Sequence, residues 1–176
     1  MYLFAYGSLT WNPNFEYESK KPAYIKNFTI RFWNKHHKYG RVATIIRAPT
    51  ITNGILYKID DNNITNLDLR ENNYSRFNVS VFDETTAAVT LATVYIANNV
   101  VIEDIDTTAK AIANSNDTSY LTNLYKTNPN VYLEELVRLV KYHKKQNRIY
   151  RVLILILIFI TVFTSVYNFQ NFKLKI

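Results

Sequence analysis

An apolar segment near the C-terminal end of the chain constrains its fold more than any other feature of the sequence. Residues 152–169 carry no formal charge and are mostly Val, Leu, Ile and Phe. As a helix, the segment would be roughly 27 Å long, close to the roughly 30 Å hydrocarbon core of a bilayer. We therefore expect residues 152–169 to form one transmembrane helix. The alternatives are a buried C-terminal helix or, because residues 152–160 include several branched side chains, a core strand.

The positive charges of the chain flank this segment. Residues 141–176 hold seven Lys and Arg and no acid, so residues 1–140 carry 14 bases against 14 acids. Five bases precede the apolar segment, and two follow it: Lys141, Lys144, Lys145, Arg148 and Arg151, then Lys173 and Lys175. The positive-inside rule keeps the larger cluster, and the body before it, in the cytosol. Nucleic acid is not an expected partner, because the body itself is neutral.

This pattern predicts a C-terminal anchor in a membrane. We expect residues 1–142 to form a cytosolic domain, residues 143–151 a basic juxtamembrane linker and residues 170–176 a short tail. The N-terminus fits a cytosolic body, since it lacks the basic and long apolar regions of a secretory signal. A weaker alternative is a peripheral protein that contacts membranes or nucleic acid through residues 141–151.

The chain contains no cysteine, which excludes a disulfide scaffold, a thiolate nucleophile and a Cys-based zinc site. Any chemistry must come from carboxylates, hydroxyls, amines, the three His residues or the backbone. The pair His36 and His37 lies among lysines with no recognisable third ligand, so we interpret it as a basic loop.

The pattern of apolar residues predicts strands first and helices later. Candidate strands are residues 2–6, 41–46, 54–59, 77–82 and 87–96. Candidate helices are residues 103–113, residues 118–126 and the chain from Asn128 onward, where an Asn cap and Pro129 precede a stripe of leucines and valines. This order predicts an α+β fold, a small mixed β-barrel with flanking helices. The three glycines, Gly7, Gly40 and Gly54, are expected where the backbone needs positive φ or close approach.

Two short motifs could carry chemistry. Tyr6-Gly7-Ser8-Leu9 follows the first strand, and such a turn can direct backbone N–H groups at an anion or a developing oxyanion. Leu67 to Arg76 clusters four charges before a strand, and a partly buried carboxylate there could act as a general base beside Arg70 or Arg76. Taken singly, each motif is also compatible with an ordinary turn.

In their order and spacing, these motifs resemble the glutathione-specific γ-glutamylcyclotransferases of the ChaC family. The opening Phe4 to Trp11 is similar to the family's aromatic strand followed by Tyr-Gly-Ser-Leu-Ile-Trp, and Leu67 to Glu71 is similar to its Leu-Asp-Phe-Arg-Glu. The similarity extends in register over residues 1 to about 142, through these further stretches: 15–17, 23–28, 31–33, 40–44, 54–57, 102–105, 118–121 and 136–141.

The resemblance implies the γ-glutamylcyclotransferase fold and its reaction. The substrate's own α-amine attacks its γ-carbonyl, releasing 5-oxoproline and the remaining dipeptide or amine. Glu71 would be the catalytic carboxylate, and the substrate would be bound by Tyr6, Gly7, Ser8, Leu9 and Tyr120. No metal or organic cofactor is implied.

The chain departs from the family pattern in two loops. The loop after Glu71 is one residue shorter and has Asn72-Asn73 in place of glycines, so we expect a left-handed Asn there. The stretch between Trp33 and Gly40 is also short, which leaves glutathione or a related γ-glutamyl amine as the substrate. The alternative function is a catalytically inactive, membrane-tethered binding protein on the same fold. The sequence does not indicate an oligomeric state.

Overall fold

Five strands and four α-helices make up the chain, for which a computed structural model describes residues 1–36, 40–115 and 118–173. The strands are β1 (Tyr2–Ala5), β2 (Ser19–His36), β3 (Gly40–Lys58), β4 (Tyr74–Asp83) and β5 (Val89–Ala97). The helices are α1 (Ile64–Arg70), α2 (Ile105–Ala113), α3 (Ser119–Thr127) and α4 (Val131–Lys173). Two short 3-10 helices, Ser8–Thr10 and Asp61–Asn63, follow β1 and precede α1.

The strands close into a barrel in the order β1-β3-β2-β4-β5. Neighbouring strands run antiparallel except at the closure, where β5 meets β1 in parallel at Leu3 and Thr93. Helices α2, α3 and the first part of α4 contribute side chains to the core that fills the barrel. The predicted α+β architecture, a small mixed barrel with flanking helices, is confirmed.

Strands β2 and β3 form one long hairpin that the sequence pattern did not reveal. No strand was predicted over residues 19–36, and two short strands were predicted where β3 runs unbroken. A bulge between Lys26 and Phe28, with Asn27 at φ 64°, explains why β2 was not recognised. Before the bulge Ile25 faces the core, and after it Phe28 does, so the two-residue alternation changes phase within the strand.

Strand β1 is buried on both faces. Phe4 packs in the barrel core, whereas Leu3 and Ala5 join a second cluster with Tyr57 and Leu67. These three side chains are at most 2% exposed, whereas Tyr2 at the start of the strand is 39% exposed. The loop that follows β1 therefore starts from the buried end of the strand.

We expect Gly54→Ala to destabilise the barrel strongly. A Cβ added at Gly54 would lie 2.1 Å from the carbonyl oxygen of Ala5, so β1 and β3 could not keep their pairing. The free energy of unfolding should fall by roughly 3 kcal/mol, the upper end for overpacking. Denaturant titration of the full chain in detergent measures this. Ile51→Ala, at a half-exposed position on the same strand, is the control and should change stability by less than about 1 kcal/mol. An equal effect of both substitutions would contradict the prediction.

Helix α4 changes character along its length. Its first part buries Leu133, Leu136 and Val140 against the barrel core, whereas from Ile149 to Phe163 its apolar side chains are exposed. By length and composition, the described part of the chain has one helix that could cross a membrane. Residues 143–151, expected as a linker, lie within this continuous helix. Of the expected tail 170–176, residues 174–176 lie outside the described residues, as does His37 of the expected basic loop.

The cap of α4 differs from the expected one. Asn130, not Asn128, caps the helix, because its Oδ1 accepts a hydrogen bond from the N–H of Leu133 at 2.9 Å. The Asn128 side chain is buried and instead forms two hydrogen bonds to the backbone of Asn53, at 2.8 and 3.0 Å. Asn128 thus ties the α3–α4 connection to β3.

Candidate active site

The loop after β1 presents backbone N–H groups to a pocket. Gly7 precedes the 3-10 helix Ser8–Thr10, and its carbonyl accepts from the Thr10 N–H at 3.0 Å and from Thr10 Oγ1 at 2.9 Å. The N–H groups of Ser8 and Leu9 lie in the first turn, where a helix has no acceptor of its own. The Ser8 N–H interacts with the Tyr120 hydroxyl, whereas no protein acceptor for the Leu9 N–H is found among the described residues. The Leu9 N–H is therefore free to bind an oxyanion, and the Ser8 N–H can bind one in place of Tyr120.

Tyr120 at the start of α3 faces this loop. A Cβ added at Gly7 would lie 3.1 Å from Tyr120 Oη, so a glycine lets the hydroxyl approach the backbone closely. Trp11 and Phe32 hold the Tyr120 ring by edge contacts, with ring centroids 5.4 and 5.9 Å away. Burial raises the pKa of Tyr120 well above its ordinary value, with the nearby Tyr74 as a smaller cause, so the hydroxyl is protonated at neutral pH.

Glu71 ends helix α1 and points its carboxyl group into the same pocket. Its N–H donates to the carbonyl of Leu67 at 2.8 Å, which fixes the backbone as the C-terminal cap of α1. The side chain is 16% exposed and lies 3.4 Å from Arg70 Nε. Burial raises the pKa of Glu71 above its ordinary value, while the charge of Arg70 acts in the opposite direction. A carboxylate whose pKa is raised by burial is suited to accept and return a proton.

Arg70 joins the helix that carries Glu71 to the loop after β1. Its guanidinium donates to the carbonyls of Pro13 at 2.8 Å and Asn12 at 3.2 Å, and to Ser8 Oγ at 3.4 Å. The carboxyl group and the backbone N–H groups therefore come from two segments held together by one side chain.

All six site residues predicted from the sequence line one pocket: Tyr6, Gly7, Ser8, Leu9, Glu71 and Tyr120. Tyr6 is buried, and its hydroxyl donates to the carbonyl of Tyr95 at 2.8 Å, so this side chain supports the wall. Burial raises the pKa of Tyr6 well above its ordinary value.

Two further tyrosines that were not predicted from the sequence, Tyr74 and Tyr95, also line the pocket. Tyr74 follows Glu71 by three residues, and its hydroxyl donates to the carbonyl of Ala43 at 2.8 Å. Burial raises the pKa of Tyr74 to about 12. Its position beside the motif was a usable signal, whereas Tyr95 lies on β5 with no motif around it.

A larger pocket adjoins the first and shares four of its residues, Ser8, Glu71, Tyr74 and Tyr120. Its other lining residues form an open rim: Trp11, Asn12, Val42, Arg70, Asn72, Asn73 and Ser119. A ligand can therefore place one end against Glu71 and the loop after β1 and extend its remainder along this rim.

The expected left-handed Asn after Glu71 is wrong. The described residues with positive φ other than glycine are Asn14, Asn27 and Ala87, so Asn72 and Asn73 have negative φ. The N–H of Tyr74 donates to the carbonyl of Glu71 at 2.8 Å, which closes a four-residue turn. Such a turn accepts negative φ at both central residues, so the missing glycines cost no backbone strain here.

Acidic and histidine side chains are not gathered into a metal site in the described ranges: no group of three or more that could hold an ion is found there. The arrangement instead combines one carboxylate, the backbone N–H groups of the loop after β1 and protonated tyrosine hydroxyls. This set can move a proton and stabilise a tetrahedral oxyanion on a carbonyl carbon.

Comparison with known families gives one match that covers most of the chain. The model for the family described as ChaC-like protein matches residues 1–148. A curated relative, the glutathione-specific gamma-glutamylcyclotransferase 1 of Danio rerio, is 34% identical over 67 residues. That match covers 34% of this chain and 34% of the relative, so it spans about a third of the relative's length.

Several solved structures share the fold. The crystal structure of a yeast γ-glutamyl cyclotransferase specific to glutathione has a TM-score of 0.70 at 24% identity and covers 82% of this chain and 96% of its own. YkqA from Bacillus subtilis has a TM-score of 0.61 at 20% identity, covering 80% of this chain and 54% of its own. At these identities, the likeness establishes the fold.

Proposed function

The chain belongs to the ChaC-like protein family, and on that premise we propose that it is a γ-glutamylcyclotransferase that cleaves glutathione to 5-oxoproline and Cys-Gly. The Danio rerio relative is named for this activity on glutathione, as is the yeast structure that shares the fold. A related γ-glutamyl amine is the alternative substrate.

The observation that carries the proposal is the meeting of Glu71 with the loop Tyr6 to Leu9 in one pocket. A cyclotransferase needs a base for the α-ammonium and hydrogen-bond donors for the oxyanion. Both must lie around the same γ-carbonyl group, because the amine attacks that group. Glu71 supplies the base, and the N–H groups of Ser8 and Leu9 supply the donors.

In the first step, Glu71 removes a proton from the substrate's α-ammonium group. The freed amine attacks the γ-carbonyl carbon, forming a five-membered ring and a tetrahedral oxyanion. The N–H groups of Ser8 and Leu9, with the Tyr120 hydroxyl beside them, stabilise that oxyanion. The raised pKa of Glu71 fits this task, because a base closer to neutral in pKa takes the proton more readily.

In the second step, the oxyanion collapses and the bond to the leaving nitrogen breaks. Glu71 returns its proton to that nitrogen, takes the remaining extra proton from the ring nitrogen, which becomes the lactam N–H, and passes it to the released amine. Cys-Gly therefore leaves as an ammonium, and the carboxylate is regenerated. The γ-glutamyl part occupies the inner pocket, and the leaving dipeptide extends along the rim formed with Trp11 and Asn73.

We further propose that helix α4 anchors the domain in a membrane through residues 152–169. The support is that every described apolar side chain from Ile149 to Phe163 is exposed. In water, this would leave a large contiguous apolar surface in contact with solvent. The bases before the segment keep the domain in the cytosol.

The test of the activity is turnover of glutathione by the full chain in detergent, following 5-oxoproline and Cys-Gly together. The proposal predicts equal amounts of both products. If the chain released free amine from other γ-glutamyl amides but did not cleave glutathione, the substrate would be a related γ-glutamyl amine. Binding of glutathione without either product would favour the inactive binding protein on this fold.

Two substitutions of Arg70 should distinguish the effect of its charge from the effect of its hydrogen bonds. In Arg70→Gln, the charge that lowers the pKa of Glu71 is lost, so the acid limb of kcat/KM should move to higher pH. Arg70→Lys keeps the charge but loses the fork of hydrogen bonds to Asn12 and Pro13, so its acid limb should stay in place. Both variants should lose roughly tenfold in maximal kcat, because the loop after β1 is less well positioned. Equal acid limbs in Arg70→Gln and the unaltered chain would contradict this assignment.

A further inference from the structure

The helices around the pocket are tied to the last part of α4 before it becomes apolar. Asn147 Nδ2 donates to Asn114 Oδ1 at 2.9 Å, at the C-terminal cap of α2. Lys144 Nζ donates to Thr118 Oγ1 at 3.2 Å, at the N-terminal cap of α3. The end of α2 and the start of α3 therefore lie beside the final turn of α4 that still contacts the domain.

Two separate sets of neighbouring residues place the rim of the pocket at this same end of the domain. Ser119, which directly follows Thr118, lines the rim, and Tyr120 after it lines both pockets. On the other side, Gly40 packs beside Ser115 of the α2 end, with the position of a Cβ 3.6 Å from Ser115 Cβ. Val42, two residues further along β3, also lines the rim.

Helix α4 is continuous from these contacts into the apolar segment. At 1.5 Å per residue, Lys144 lies roughly 12 Å, and Asn147 roughly 8 Å, before residue 152 along the helix axis. The headgroup layer on each side of a bilayer is about 5 to 8 Å thick. Val131, at the start of α4, lies roughly 32 Å before residue 152 and so at the opposite end of the domain.

We propose that the open rim of the active site faces the lipid headgroup layer, held there by the rigid passage of α4 into the membrane. This inference rests on the proposed anchor and not on the proposed reaction. The bases Lys144, Lys145 and Arg148 lie at the same level and are placed to contact anionic headgroups. Substrate then enters through the thin water layer at the membrane surface, where the lipid charge acts on it.

Single-cysteine labelling tests this orientation directly, because the chain has no cysteine of its own. A fluorophore is attached at Asn72→Cys on the rim or at Val131→Cys at the far end, in full chains reconstituted into phosphatidylcholine and phosphatidylserine vesicles. A quencher carried on lipid headgroups then reports the distance of each label from the surface. Asn72 and Val131 are both exposed, so both positions accept the label.

Strong quenching of the Asn72 label with little quenching of the Val131 label supports the inference. Equal quenching of the two labels, or stronger quenching at Val131, overturns it while leaving the anchor intact. Failure of both chains to float with the vesicles overturns the anchor and this orientation together. None of these outcomes depends on turnover, so loss of the proposed activity would be recognised separately.

Discussion

Glu71→Gln should abolish turnover while leaving the fold intact. The amide keeps the size of the side chain but cannot accept the proton of the α-ammonium, so kcat should fall by about 10²- to 10⁴-fold. Stability should change little, because the carboxylate is mostly desolvated and its pairing with Arg70 at 3.4 Å offsets only part of that cost. Product formation from glutathione, together with denaturant titration of the same preparation, measures both effects.

Glu84→Gln is the matched control, since Glu84 is an exposed carboxylate at the end of β4. Its turnover should equal that of the unaltered chain. If Glu71→Gln retained turnover within tenfold of the control, Glu71 would not be the group that transfers the protons. The pocket would then need another base, and the mechanism proposed for the two steps would be wrong.

Two charges placed in the exposed part of α4 should release the chain from membranes. Replacing Ile156 and Leu157 with aspartates costs roughly 2.5 to 3.5 kcal/mol per residue at the centre of a membrane helix. The sum is enough to prevent stable insertion, so the doubly substituted chain should remain in the soluble fraction after flotation with vesicles. The unaltered chain should float.

The control is the exchange of the same two residues for each other's side chains, Ile156→Leu with Leu157→Ile, which preserves the apolar surface. This chain should float like the unaltered one. Retention of the aspartate-substituted chain on vesicles, with release at high salt, would instead support the peripheral protein that binds through residues 141–151. Solubility of every chain would favour burial of the helix against another protein surface.

Patterns among neighbouring residues predicted several of the strands and helices correctly. The motif Tyr6 to Leu9 lies at the end of a strand, as its position after an apolar run indicated, and α2 and α3 begin within two residues of their predicted starts. The hairpin of β2 and β3 escaped prediction because the bulge at Asn27 reverses which residues face the core. A pattern that changes phase within one strand cannot be recognised by alternation alone.

The candidate site was predicted through a resemblance of motifs rather than through the chemistry of single residues. Asp68 and Glu71 are both carboxylates of the same short motif, three residues apart, and nothing local separates their roles. In the folded chain Asp68 accepts a hydrogen bond from Tyr95 at 2.8 Å and lies near Arg76, whereas Glu71 enters the pocket. The fold, through the direction of α1 against β1 and β5, decides which of the two carboxylates reaches the pocket.

The sequence by itself determined the properties that depend on neighbouring residues: the long uncharged segment with bases before it, the neutral body and the two motifs that carry the proposed chemistry. The tertiary structure alone decided how segments far apart in the sequence combine. It joined Glu71 to the loop after β1 through Arg70, added Tyr74 and Tyr95 to the pocket and brought the rim beside the last turn of α4 that contacts the domain. Such contacts arise when the barrel closes and the helices pack on it, and no periodicity along the chain encodes them.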